Sequence, residues 1–265
     1  MDRSALWLQC RPAGGHPRVR LFCLPHAGGG AAAFHSWNDS LPAFVQVCSV
    51  LLPGRERRFS EPPCSDMETL VDALDRELRP WLDIPYAVFG HSMGALLAFE
   101  WARRVHRSGD SMPVCLFLSG RRAPDIAGDT NPLQSLPDSE FVEELIRRYD
   151  GVPQELLRDP ELMELFLPIL RADIAVVESY RFRQDEPLDC PIAVFAGVKD
   201  KSVAWNELLA WKRQTSRRFE MRIFPGGHFY SHPPLLQTIS ATLEELFSHS
   251  EDSPIPISAA LHPPA

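Results

Sequence analysis

Ser92 stands in Gly90-His91-Ser92-Met93-Gly94, a G-x-S-x-G pentapeptide. It falls between an apolar run at residues 86–90 (YAVFG) and a helical pattern at residues 93–106. A serine on such a strand–turn–helix junction is pushed out above the sheet, and the turn is so tight that its neighbours must be small, hence Gly90 and Gly94. The helix N-terminus behind it favours negative charge. This is equipment for nucleophilic acyl transfer. A serine hydroxyl is a weak nucleophile until a base takes its proton, and on such a scaffold the partners follow in the order Ser, acid, His. Of nine histidines, His228 is best placed, because Phe224-Pro225-Gly226-Gly227-His228 follows the last apolar run and its glycine turn returns the ring over the sheet. His232, beside Pro233, is read as local structure, and His91 is badly placed to reach its neighbour's Oγ. His16 and His262 lie in the chain ends. Two acids compete: Asp200, after IAVFAGVKD, and Asp125, after LSGRRAPD. Asp200 is preferred for its shorter loop. The oxyanion needs two backbone donors: the amide of Met93, and one from Pro25-His26-Ala27-Gly28-Gly29-Gly30, where Ala27 is chosen. That loop lacks the lysine and spacing of a phosphate cradle. Neither HExxH nor CxxC occurs, so no metal is expected.

These residues need a scaffold. Six apolar runs, at residues 19–24, 47–52, 86–90, 114–119, 192–196 and 219–224, are nearly continuous, as strands buried on both faces must be. Helical patterns at residues 67–82, 93–106, 204–215 and 234–247 separate most of them, with Ser65 and Asp66 as caps for the first. Alternation of this kind predicts a doubly wound, mostly parallel α/β sheet. About 70 residues between the fourth and fifth runs break the rhythm. They carry two amphipathic helical patterns, residues 139–149 and 160–180, the second containing Pro168, which should kink it. Periodicity leaves open whether this is a plain insertion or a lid over a pocket.

The chain has 265 residues, 45% hydrophobic and 23% charged, which excludes a disordered or fibrous protein. Its net charge of −8 argues against a nucleic-acid partner. Residues 121–187 hold 8 Arg and 15 Asp plus Glu, or −7, which leaves −1 for the rest. No apolar stretch suits a signal peptide or a membrane span, so a cytoplasmic location is expected. Cys23, Cys48, Cys115 and Cys190 lie in or beside apolar runs and are read as small buried hydrophobes in a reducing setting. The expected organisation is an extension at 1–17, one catalytic domain at 18–248 with its lid at about 121–187, and a disordered tail at 249–265 rich in Pro, Ser and Ala.

Six segments together carry a family resemblance: LFCLPHAGGG at 21–30, LLPGRERR at 51–58, FGHSMGALLAFE at 89–100, LPILRAD at 167–173, VFAGVKD at 194–200 and PGGHFY at 225–230. Over about residues 18 to 247 the chain resembles the stand-alone, type II thioesterases of polyketide and nonribosomal peptide synthesis, and their relatives of fatty acid synthesis, in the α/β-hydrolase superfamily. The resemblance implies an α/β-hydrolase fold with a helical lid between the strands preceding residues 120 and 192. It implies Ser92, Asp200 and His228 as triad, and Ala27 and Met93 amides as oxyanion hole. It implies hydrolysis of acyl thioesters from the phosphopantetheine arm of acyl or peptidyl carrier proteins, with no cofactor of the enzyme's own, acting as a monomer. Arg55, Arg57, Arg58, Arg103, Arg104, Arg121 and Arg122 are the expected basic docking spots for an acidic carrier. A general esterase, an acyltransferase of the same fold and an inactive binding module are the alternatives.

Overall fold

The computed structural model describes residues 4–10, 15–128, 131–149, 158–230 and 232–248. Seven strands form one sheet in the order β1-β3-β2-β4-β5-β6-β7. They are β1 (Leu8–Cys10), β2 (Val19–Leu24), β3 (Val45–Val50), β4 (Tyr86–His91), β5 (Leu116–Ser119), β6 (Ile192–Gly197) and β7 (Phe219–Phe224). All pair in parallel except β1, which runs antiparallel on β3. The six anticipated strands are present, with β3 two residues earlier than its apolar run suggests. Leu51 and Leu52 continue that run as buried residues beyond the last ladder position.

The helices are α1 (Ser4–Trp7), α2 (Met67–Leu78), α3 (Met93–Ser108), α4 (Asp138–Tyr149), α5 (Pro160–Ser179), α6 (Trp205–Leu209) and α7 (His232–Ser248). The Asp66 carboxylate caps α2 by accepting from Thr69 N at 2.8 Å. Pro80 ends that helix in a 3-10 turn, and Gly109, in the left-handed region, ends α3. The helix expected over residues 204–215 is a short α6 followed by a 3-10 turn. α5 continues through Pro168. One apolar cluster lies on the α2–α3 face of the sheet, around Leu74, Leu97, Trp101 and Trp211. A second lies on the α7 face, around Trp37, Phe89, Phe117 and Ile239. A third joins α4 to α5 through Phe141, Leu145, Leu170 and Ile174, so the insertion has a small core of its own.

Three expectations are corrected. Residues 8–10 are not part of an extension: they add an edge strand whose register sets Cys10 opposite Cys48. Those two cysteines form a disulfide, so Cys48 is not a free buried thiol, whereas Cys23, Cys115 and Cys190 are. Three of the seven arginines expected to dock a carrier are not on the surface. Arg55, Arg58 and Arg103 are buried with acidic partners, because only a paired guanidinium is tolerated in the interior. Arg104 and Arg122 pair with Asp72 and Glu207, and Arg121 lines a pocket. Arg57 is exposed but donates to the carbonyl of Leu8 at 2.9 Å. Residues 249–265, expected as a tail, lie outside the described residues, as do residues 11–14. Among the described residues no helix is long and apolar enough to cross a membrane.

Candidate active site

The turn between β4 and α3 holds Ser92 at φ +54°, ψ −111°, a conformation a non-glycine residue adopts only when its surroundings enforce it. Part of that enforcement is a hydrogen bond from Ser92 N to Ser119 O at 2.8 Å, which ties the elbow to β5. The flanking glycines are obligatory by contact. A Cβ on Gly90 would lie 2.1 Å from Gly94 O, and one on Gly94 would lie 2.2 Å from Leu24 O.

The loop after β7 brings His228 into the interior, where it is 3% exposed. Its Nδ1 lies 2.9 Å from Asp200 Oδ2, in the loop after β6. Asp200 Oδ1 accepts from the amide of Ser202 at 2.9 Å and from its hydroxyl at 2.6 Å, and the Ser202 Oγ is also 3.0 Å from His228 Nδ1. Burial pushes the Asp200 carboxyl up, but the bonds from His228 and Ser202 outweigh it and hold the group below the usual carboxylate range. Asp125, the rival acid, is engaged elsewhere, its Oδ2 accepting from Arg213 at 2.6 Å. His232 begins α7 and packs on Trp37.

Ser92, His228 and Ala27 line one pocket, enclosed by Leu145 and Tyr149 of α4 and by Leu170, Ile174 and Val177 of α5. Its free volume is about 40 Å³. The two inserted helices therefore roof the serine. Met93 is the first residue of α3, so its amide is among the helix's unpaired donors.

Two features escaped the sequence reading. Ser202 is one: a serine two positions after an acid carries no signal until the turn folds it back. The other is a set of aromatic and hydroxyl groups beneath the elbow. His91 Nδ1 bonds Ser119 Oγ at 2.7 Å, and Ser119 Oγ bonds Tyr230 OH at 2.6 Å. The His91 ring stacks obliquely on His228, with centroids 4.9 Å apart. Burial first, then the neighbouring charges of His228, His26 and His232, hold His91 well below the ordinary histidine range. His26 is lowered to about 4, by burial and then by His228, Arg55 and His232. His26 and Phe229, edge-on with ring centroids 4.8 Å apart, line both the Ser92 pocket and a second cavity of about 440 Å³. Trp37 Nε1 and His91 Nε2, from two residues lining that cavity, have no hydrogen-bond partner.

Comparison with known proteins gives this geometry its relatives. A family model described as "Thioesterase domain" matches residues 19–250. The gramicidin S biosynthesis protein GrsT of Aneurinibacillus migulanus is 42% identical over 229 residues, 86% of this chain and 89% of its own. The solved type II thioesterase BorB of the borrelidin biosynthetic cluster is 38% identical, with a TM-score of 0.79 over 92% of this chain and 97% of its own. ClbQ, from the colibactin NRPS/PKS pathway, is 35% identical, with a TM-score of 0.83 over 88% of this chain and 99% of its own.

Proposed function

The chain belongs to the thioesterase family, and on that premise we propose that Ser92, His228 and Asp200 hydrolyse acyl thioesters carried on the phosphopantetheine arm of a carrier protein. The observation that carries the assignment is the convergence of three loops on one roofed pocket. The strained elbow presents Ser92, the loop after β7 presents His228, and the loop after β6 holds Asp200 on the ring's other nitrogen at 2.9 Å.

The chemistry follows from those positions. With Nδ1–H donated to Asp200, the ring's Nε2 is the free base. It takes the Ser92 proton as Oγ attacks the thioester carbonyl. The oxyanion that forms is held by the amides of Ala27 and Met93. When the carbon–sulfur bond breaks, His228 returns its proton to the departing sulfur. Water, deprotonated by the same ring, then attacks the acyl-serine ester, and the carboxylic acid leaves. The carrier's arm supplies the thiol, so the reaction needs no cofactor of this chain. Relatives named for gramicidin S, borrelidin and colibactin production support a role beside a synthase that grows its product on carriers.

The test is turnover of a panel of acyl-carrier thioesters, acetyl to long chain, by the wild type and Ser92→Ala, with free thiol as readout. Fluorophosphonate labelling followed by intact mass should place one adduct on the wild type and none on Ser92→Ala. A wild type that takes no label and releases no thiol would overturn the reading.

A further inference from the structure

Two motifs singled out in the sequence, PGRE at 53–56 and LRAD at 170–173, have no part in the triad. The structure brings them together on the loop that carries Ala27. Asp173, on α5, is wholly buried. Its Oδ2 accepts from Gly28 N at 2.7 Å and from Arg55 Nη1 at 2.8 Å, and its Oδ1 accepts from Arg55 Nη2 at 2.7 Å. Arg55 Nη1 also donates to Gly29 O at 2.9 Å. Glu56, itself at φ +49°, accepts from Ala32 N at 2.9 Å.

Each peptide group is planar, so fixing one of its polar atoms fixes the other. Gly29 N donates to His26 O at 2.9 Å, and that carbonyl belongs to the same peptide plane as the Ala27 N–H. Asp173 holds the next plane by its Gly28 N–H, and Arg55 holds the plane of Gly29 O. Gly28 sits at φ +76°, and a Cβ there would lie 2.5 Å from Leu170 of α5, so the helix rests directly on the loop. The ion pair has a second consequence. A buried carboxylate beside a developing oxyanion would oppose it, and the forked contact with Arg55 neutralises that charge.

We propose that Arg55 and Asp173 are positioning residues for the oxyanion hole, which orient the Ala27 amide and make its competence depend on α5 being docked. The proposal rests on the thioesterase reading of Ser92. Both residues act through the loop rather than on substrate, so their loss should appear in the transition state and not in ground-state binding.

The test compares wild type, Arg55→Lys and Asp173→Asn on acetyl-CoA, a soluble acyl thioester, at a temperature where circular dichroism shows each variant folded. Lysine keeps the charge but cannot make the two-pronged contact. Asparagine keeps the shape and loses the charge. The expected result is a 10- to 100-fold fall in kcat with KM within about twofold. Affinity for a trifluoromethyl ketone analogue, whose tetrahedral adduct places an oxyanion in the hole, should fall in parallel with kcat/KM. Affinity for a non-hydrolysable acyl thioether should hold. Folded variants with wild-type kcat, or a kcat loss without loss of ketone affinity, would overturn the proposal. If one variant does not fold, the other decides. A wild type inactive on every thioester would instead remove the reading beneath it.

Discussion

Asp200 and Asp125 differ little in sequence: each follows an apolar run by a few residues. In space they separate completely, Asp200 lying on His228 and Asp125 on Arg213. Asp200→Asn should therefore lower kcat by about 10³–10⁴-fold, since it loses the group that orients the imidazole and stabilises its cationic form. Asp125→Asn should stay within about twofold, because an exposed ion pair contributes about 1 kcal/mol or less to stability and nothing to the reaction. Steady-state kinetics on one thioester decides both, and similar losses in the two variants would discard the assignment. Ser202→Ala is intermediate. It removes the hydroxyl donor to Asp200 and leaves the Ser202 amide in place, so kcat should fall by less than about tenfold.

At the scale of elements, the inserted pair α4 and α5 sets the space above Ser92. Leu145, Leu170 and Ile174 join their common core and also line the Ser92 pocket, so a change in their packing changes the pocket. With about 40 Å³ free beside Ser92, short acyl groups should be hydrolysed in preference to long chains. Ile174→Ala should raise the long-chain to short-chain ratio of kcat/KM by about tenfold, at about 1–3 kcal/mol per methylene accommodated. The same change should cost about 2–5 kcal/mol of stability, read by urea melts, because it deletes buried methyl groups. An unchanged chain-length profile would show that the acyl group lies elsewhere.

Across the whole molecule, charge is distributed by pairing as much as by sequence. The acidic insertion neutralises much of itself and its surroundings: Glu144 meets Arg147 and Arg148, Asp138 meets Arg171, and Asp173 meets Arg55. The histidines beneath the elbow behave oppositely, being kept neutral by burial. His26 titrates at about 4 in the fold and near 6.5 when unfolded. Between those values the unfolded chain binds the extra proton, so stability is full above about pH 6.5 and declines as pH falls toward 4. The lowering corresponds to about 3 kcal/mol at most, or roughly 5–10 °C in Tm. Thermal melts from pH 7.5 to 4.5 should show the decline, and His26→Asn should flatten part of it. Parallel curves for the two proteins would refute the attribution.

The sequence by itself determined the sheet and the strained turn that carries Ser92, because each rests on short-range rules. Continuous apolar runs mark buried parallel strands, and a turn that admits no Cβ at positions 90 and 94 must read glycine. The meeting of Asp200 with His228 was legible for a similar reason, since both stand in strand-end loops on one side of the sheet. What needed the tertiary structure was pairing across long separations. Nothing local links Arg55 to Asp173, 118 residues apart, or Cys10 to Cys48, 38 apart. An arginine in a polar motif reads as surface until its acidic partner is found, and three of the seven arginines expected to dock a partner are interior: Arg55 on the buried Asp173, Arg58 on the partly exposed Glu61 and Arg103 on Glu100. Edge strand β1 escaped because three residues are too few to show a period, and only the open side of β3 selects them.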